Sequence, residues 1–230
     1  MAGPVWRIPT APFDSVNSFA IVGEAGDVTL VDCGVKKAPA RIVAGLAAIG
    51  KAPQDVTRIV LTHVHPDHAG GARRMSKLTG RPVDVHAGDA EHGRNGTVPP
   101  SDPSTRLGRL FNRRVGVAYA PFEVGQELAD GQVLEAAGGL RVVHTPGHSP
   151  GHVSLLHEPT GVLVTGDAIF NVFGLRWPLR PLCNDVRLTQ RTADVLGELE
   201  YDVAAFTHGP HVDTDARETV RRFLRDARRD

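Results

Sequence analysis

The stretch LTHVHPDHAGG, residues 61–71, sets three histidines and an aspartate within the six positions from His63 to His68. A lone histidine is ordinarily a solvated or hydrogen-bonded side chain, and His86, His92, His144, His152, His157 and His211 are read that way here. The cluster is different. Drawn from this chain's own composition, HxHxDH should arise in roughly one shuffled sequence in several hundred, so the motif asks for a chemical explanation. It follows the apolar run RIVLT, residues 58–62, which reads as a short buried strand. A chain leaving a strand points alternate side chains the same way, so His63 and His65 can converge on one point. Asp67 and His68 follow where AGGARRM begins a helix, which turns them toward a neighbouring point. Pro66 stiffens the bend between the two pairs by fixing its own backbone angle. Two imidazoles for one ion, and a carboxylate plus an imidazole for another, form a ligand set suited to zinc, iron or manganese.

Working outward, the rest of the chain alternates strands and helices. NSFAIVG (17–23) and VTLVDCG (28–34) carry β-branched and apolar residues, and Ile42, Val43, Leu46 and Ile49 lie at helical spacing in KKAPARIVAGLAAIG. VDVHA (83–87) is a further strand. LRVVHT, HVSLLHE and GVLVTGD read as successive strands, TQRTADVLGELE as a helix, VAAFTHG as a strand and TDARETVRRFLRDARR as a closing amphipathic helix. Two β-rich halves flanked by helices predict an α/β protein: an αββα sandwich of two mixed β-sheets with outer helices, one domain over residues 1–230 with insertions near 92–122 and 169–185. In that architecture strand ends meet on one rim. HTPGHSPGH projects His148 there from a Pro146-Gly147 turn, and it is the third ligand. GVLVTGD ends in Asp167, VAAFTHG leads to His208, and VDCG carries Asp32, which orients a ligand by hydrogen bonding.

Composition sets broad limits. The chain has 230 residues with 26 Lys plus Arg against 26 Asp plus Glu, so its formal charge is zero and nothing favours nucleic acid or an anionic membrane as partner. No apolar run is long enough to span a bilayer, and MAGPVWRIPTAP lacks the basic start and apolar run of a secretory signal, so a cytoplasmic location is expected. The two cysteines, Cys33 and Cys183, are far apart and outside any CxxC, which fits a reducing compartment.

With Asp32, THVHPDH, TPGHSPGH, TGD and THG in this order, the chain resembles the metallo-β-lactamase-fold superfamily of metal-dependent hydrolases. The resemblance implies an αββα sandwich with two divalent metal ions, zinc first and iron or manganese as alternatives. It implies that His63, His65 and His148 hold one ion, that Asp67, His68 and His208 hold the other, and that Asp167 bridges them. The zinc β-lactamases generally lack the bridging aspartate and many use a late cysteine, whereas this chain has Asp167 and no cysteine after Cys183. HAGG, TPGHSPGH and GDAIF are closer to the glyoxalase II and acyl-homoserine lactonase branches. The lactonase tyrosine that assists the carbonyl has no matched position, since Tyr119 and Tyr201 lie in other contexts.

The expected activity is hydrolysis of a small-molecule ester, lactone or thioester, its carbonyl attacked by a metal-bridging hydroxide, with Asp67 as the catalytic proton shuttle. The rivals are an oxidoreductase of the persulfide dioxygenase kind, with one iron on the first three histidines, and a phosphodiesterase or nuclease. For the substrate pocket the candidates are Phe170, Phe173, Arg176 and Trp177, just after Asp167, with Leu179 as a further apolar wall and Arg176 or Arg180 free to meet an anion; a packed surface loop is the alternative. Leu107, Leu110 and Phe111, amid the arginines of RLGRLFNRRVG, form a lid, a basic contact surface or a solvated amphipathic helix. His152→Ala is expected to be mild, because only His148 of that motif is assigned to metal.

Overall fold

The computed structural model describes residues 3–113, 116–135 and 137–227. The first sheet contains β1 (Val5–Pro9), β2 (Asn17–Val22), β3 (Val28–Val31), β4 (Val56–Val60), β5 (Val83–His86) and β6 (Val124–Leu128), hydrogen-bonded in that order. It is antiparallel through β3 and parallel from β3 to β6. The second half supplies β7 (Val133–Leu134), β8 (Leu140–His144), β9 (Val153–His157) and β10 (Val162–Val164). A short hairpin of β11 (Phe170–Asn171) and β12 (Leu175–Arg176) follows, then β13 (Val203–Ala205). The second sheet runs β13-β10-β9-β8-β7, with β10 and β13 parallel and its other pairs antiparallel.

The period of two along each strand divides the apolar residues between three cores. Phe19, Ile21, Val31 and Val60 from the first sheet meet Val142, Leu155, Val164 and Val203 from the second, which glues the sheets face to face. Their sequence neighbours point outward. Ala20, Leu30 and Ile59 pack beneath Ile42 and Leu46 of α1 (Pro39–Ala48) and Met75. Leu156, Leu163 and Ala204 pack against Leu196, Val220 and Leu224. The result is the expected αββα order.

The chain leaves β4 into the short α2 (Pro66–Ala69), with Pro66 at its first turn, and then α3 (Ala72–Thr79). α4 (Ala87–Asn95) and α5 (Arg106–Phe111) lie in and before the first insertion, and α6 (Val186–Thr192) follows the second. The helix read over TQRTADVLGELE begins earlier, because the Asp185 side chain caps it by accepting from the Leu188 N–H at 2.8 Å, and it tightens into a 3-10 turn over Ala193–Gly197. The closing helix α7 (Ala216–Asp226) lies within the stretch read as helical; Arg228 and Arg229 fall outside the described residues, as does Arg114 of the first insertion. No helix among the described residues is long and apolar enough to cross a membrane.

Candidate metal centre

Parallel pairing decides which strand ends meet. Val31 lies beside Val60, so β3 and β4 end together and deliver Asp32 and His63. Val164 lies beside Ala205, so β10 and β13 do the same for Asp167 and His208. β9 starts beside the end of β10, which brings the loop 145–152, carrying His148, to the same rim. Two turns there require glycine. Gly147 and Gly166 have φ of +128° and +56°, and a Cβ on them would sit 2.2 Å from the Thr189 nitrogen and 2.5 Å from His152 Nε2.

Three groups of ligand atoms converge, each within 4.8 Å: His63, His65 and His148; His63, His68 and Asp167; and Asp67, His68 and His208. His65 Nδ1 lies 2.9 Å from His148 Nε2, and His68 Nε2 lies 3.3 Å from His208 Nε2. Asp167 stands between the groups. Its Oδ2 is 3.1 Å from His148 Nε2 and 3.8 Å from His63 Nε2, while its Oδ1 is 3.3 Å from both His68 Nε2 and His208 Nε2. Asp67 Oδ2 lies 3.6 and 3.4 Å from His68 and His208. The structure thus brings together all seven residues proposed as ligands.

These groups also fit a cation chemically. His63 Nε2 is buried and has no hydrogen-bond partner among the described residues, an arrangement that costs stability unless something binds it. Without a cation, the protons sort themselves by charge. Burial and His148 push His65 down to about 3, whereas at His148 burial is opposed by Asp167 and Cys183, which together lift it to about 9. Burial works against the charges of Asp67 and Asp167 too, but neighbouring histidines hold both carboxyls below the usual range, so both are anionic at neutral pH and suited to a cation.

Behind the ligands lies a second ring of contacts. Asp32, buried and at φ +60°, places Oδ2 2.9 Å from His68 Nδ1 and accepts the Thr62 N–H at 2.8 Å and the Thr62 hydroxyl at 2.9 Å. The Ser15 carbonyl meets His208 Nδ1, and the Thr207 hydroxyl donates to Asp167 Oδ1 at 2.8 Å. Of this ring sequence reasoning named Asp32 alone, and three further members belong to it. His152 accepts the Asp167 backbone N–H at 2.7 Å through Nε2, while its Nδ1 donates to the Thr145 carbonyl at 3.0 Å. Cys183 Sγ lies 3.6 Å from His148 Nδ1. Buried Asp89 accepts from the Ser149 hydroxyl at 2.6 Å, the Gly151 N–H at 2.7 Å and the Val64 N–H at 3.3 Å, tying the two histidine loops together. For His152 the repeated PGH of the motif was an available signal; Cys183 and Asp89 carried none.

A cavity of about 490 Å³ opens above the ligands, floored by His65, Asp67, His148, Asp167 and His208. Of the four residues proposed to form a substrate pocket, Phe170 lines it and packs on His208 with ring centroids 4.3 Å apart. The other three do not line it, a correction with a simple cause. The β11–β12 hairpin turns the chain away from the ligands, leaving Phe173 98% exposed at its tip and Arg176 exposed on β12, and packing Trp177 on Phe223 of α7 with centroids 4.9 Å apart. Arg180 lines a separate small cavity with Trp177. Tyr119 is buried, its hydroxyl donating to the Thr97 carbonyl at 2.9 Å, and neither it nor Tyr201 lines the large cavity.

The family model of the metallo-beta-lactamase superfamily matches residues 11–208. A probable metallo-hydrolase of Bacillus subtilis (strain 168) is 28% identical over 193 residues, covering 83% of this chain and 80% of the relative. Two further relatives match shorter stretches. A hydroxyacylglutathione hydrolase of Rhodopseudomonas palustris is 28% identical over 62% of this chain and 51% of its own, and an N-acyl homoserine lactonase of a Bacillus species is 32% identical over 56% and 45%. Among solved structures, a metallo-beta-lactamase family protein of Thermus thermophilus superposes with a TM-score of 0.75 at 29% identity, covering 98% of this chain and 79% of that one.

Proposed function

Since the chain belongs to the metallo-β-lactamase superfamily of metallohydrolases, we propose that it hydrolyses an ester, lactone or thioester at a centre of two divalent metal ions. The observation that carries this reading is Asp167, whose two oxygens face two separate histidine groups. His63, His65 and His148 would hold one ion and Asp67, His68 and His208 the other. Zinc fits this set of imidazoles and carboxylates, as do iron and manganese. When bound, such ions make water nucleophilic near neutral pH and polarise a carbonyl.

The chain's own residues do the rest. Asp67 is 36% exposed in its side chain and lines the cavity, so its carboxylate can take the proton released by the attacking water and pass it to the leaving group. The acyl carbon gains a bond to the water oxygen and loses its bond to the leaving oxygen or sulfur; the products are a carboxylic acid and an alcohol or thiol, which stay joined when a lactone opens. No electrons are transferred. Thr207 and His152 keep Asp167 aimed between the two groups. Relatives named as a hydroxyacylglutathione hydrolase and an N-acyl homoserine lactonase support the acyl class. The ligand atoms of Asp67, His68 and His208 also lie within 4.8 Å of one another, a second group for which a single-iron oxidoreductase has no use. Two free, buried thiols support a cytoplasmic setting.

The test is a panel of lactones, thioesters and esters, with phosphodiesters alongside, given to protein of known metal content. Turnover of at least one acyl compound that stops on chelation is expected; turnover of phosphodiesters alone would overturn the reading.

A further inference from the structure

The walls of the cavity carry a message that its floor does not. From the first insertion come Val98, Pro99, Phe111 and Ala118, and from the second come Phe170, Leu179 and Leu182. Among the described residues, Ser101 is the one other polar residue, and its backbone is engaged with the Asn112 side chain, donating at 2.8 Å and accepting at 2.8 Å. Among the described residues, neither lysine nor arginine lines the cavity, so its charged groups are the ligands themselves. The walls are also held as one unit. The Asp102 N–H donates to the Cys183 carbonyl at 2.7 Å, the Val186 N–H donates to Asp102 Oδ2 at 3.0 Å, and the Asn184 amide donates to the Pro100 carbonyl at 2.7 Å.

We infer that the two insertions together form an acyl-chain subsite, and that the substrate's acyl group is an uncharged hydrocarbon chain. This rests on the hydrolase reading and names its substrate class. The volume suits a small organic ligand, and an apolar chain there would leave water against walls whose one polar side chain, among the described residues, is that of Ser101. A carboxylate at the far end of the chain would lose its hydration and meet no cation among the described wall residues, and that penalty supplies the selectivity.

The experiment compares hexanoyl thioesters with acetyl thioesters and with adipoyl thioesters, whose chains end in a carboxylate, using the protein with its bound metal. Each buried methylene is worth about fourfold, so kcat/KM should rise at least tenfold from acetyl to hexanoyl and fall at least tenfold from hexanoyl to adipoyl. Leu182→Lys, at a wall position already 44% exposed, should narrow the hexanoyl preference over adipoyl at least tenfold with metal content unchanged. Calorimetry with hexanohydroxamate and adipic monohydroxamate reads the same order as binding. If the hydroxamates follow that order while nothing is hydrolysed, the subsite stands and the hydrolase reading falls. Equal treatment of hexanoyl and adipoyl compounds, or preference for adipoyl, overturns the subsite whatever the turnover.

Discussion

The strand ends that carry the ligands and the insertions that wall the cavity face each other across one space, but they are held differently. His63, His68, His148 and Asp167 are buried; Asp32, Cys183 and His152 from other parts of the chain hold His68, His148 and Asp167 from behind, and the neighbouring Thr62 hydroxyl holds His63. Leu107, Leu110 and Phe111 of α5 are 41–51% exposed, and Leu179 and Leu182 are similarly open. A packed core tolerates few arrangements, whereas a half-exposed wall can change residues cheaply. One region therefore dictates the chemistry, and the other is free to choose what undergoes it.

That contrast can be broken at several points. Asp67→Ala removes the proposed ligand and proton carrier from a partly exposed position, so kcat should fall by about 10²–10⁴ with little change in the thermal midpoint; near-normal turnover would take Asp67 out of the mechanism. His152→Ala is the sharper case. The mild effect expected from sequence ignores that this buried imidazole holds the Asp167 N–H, and leaving a buried donor unpaired costs on the order of 1–3 kcal/mol. A denaturant midpoint unchanged from wild type, with full metal content, would return His152 to a bystander. Cys183→Ala should weaken metal binding by about tenfold in a chelator competition, with Cys183→Ser retaining more, because His148 Nδ1 loses its partner in the first and keeps one in the second. Equal affinities in the two variants would remove the thiol from the ligand's support. At the other end, Leu107→Ser on exposed α5 should change stability by less than about 0.5 kcal/mol in the same unfolding measurement.

What could be read in advance follows the same division. The ligands end apolar runs such as RIVLT and GVLVT, and period-two burial fixes where those runs stop, so both fold and floor were visible in the sequence. β1 was missed because Trp6 and Arg7 interrupt its buried face at the edge of the sheet. Phe173, Arg176 and Trp177 were misjudged because nearness to Asp167 along the chain was taken for nearness in space, and a two-stranded hairpin carries them away from it. Asp89 and Cys183 act through partners 60 and 35 positions away, a relation that no local pattern records.

The central claim is that Asp167 lies between two metal ions. Elemental analysis of purified protein, grown without added metal, tests it most directly. About two zinc, iron or manganese ions per chain are expected, falling together with activity in Asp167→Ala. A single iron per chain, unchanged by that substitution, would contradict the two-metal centre and favour the oxygen-dependent chemistry of a mononuclear site.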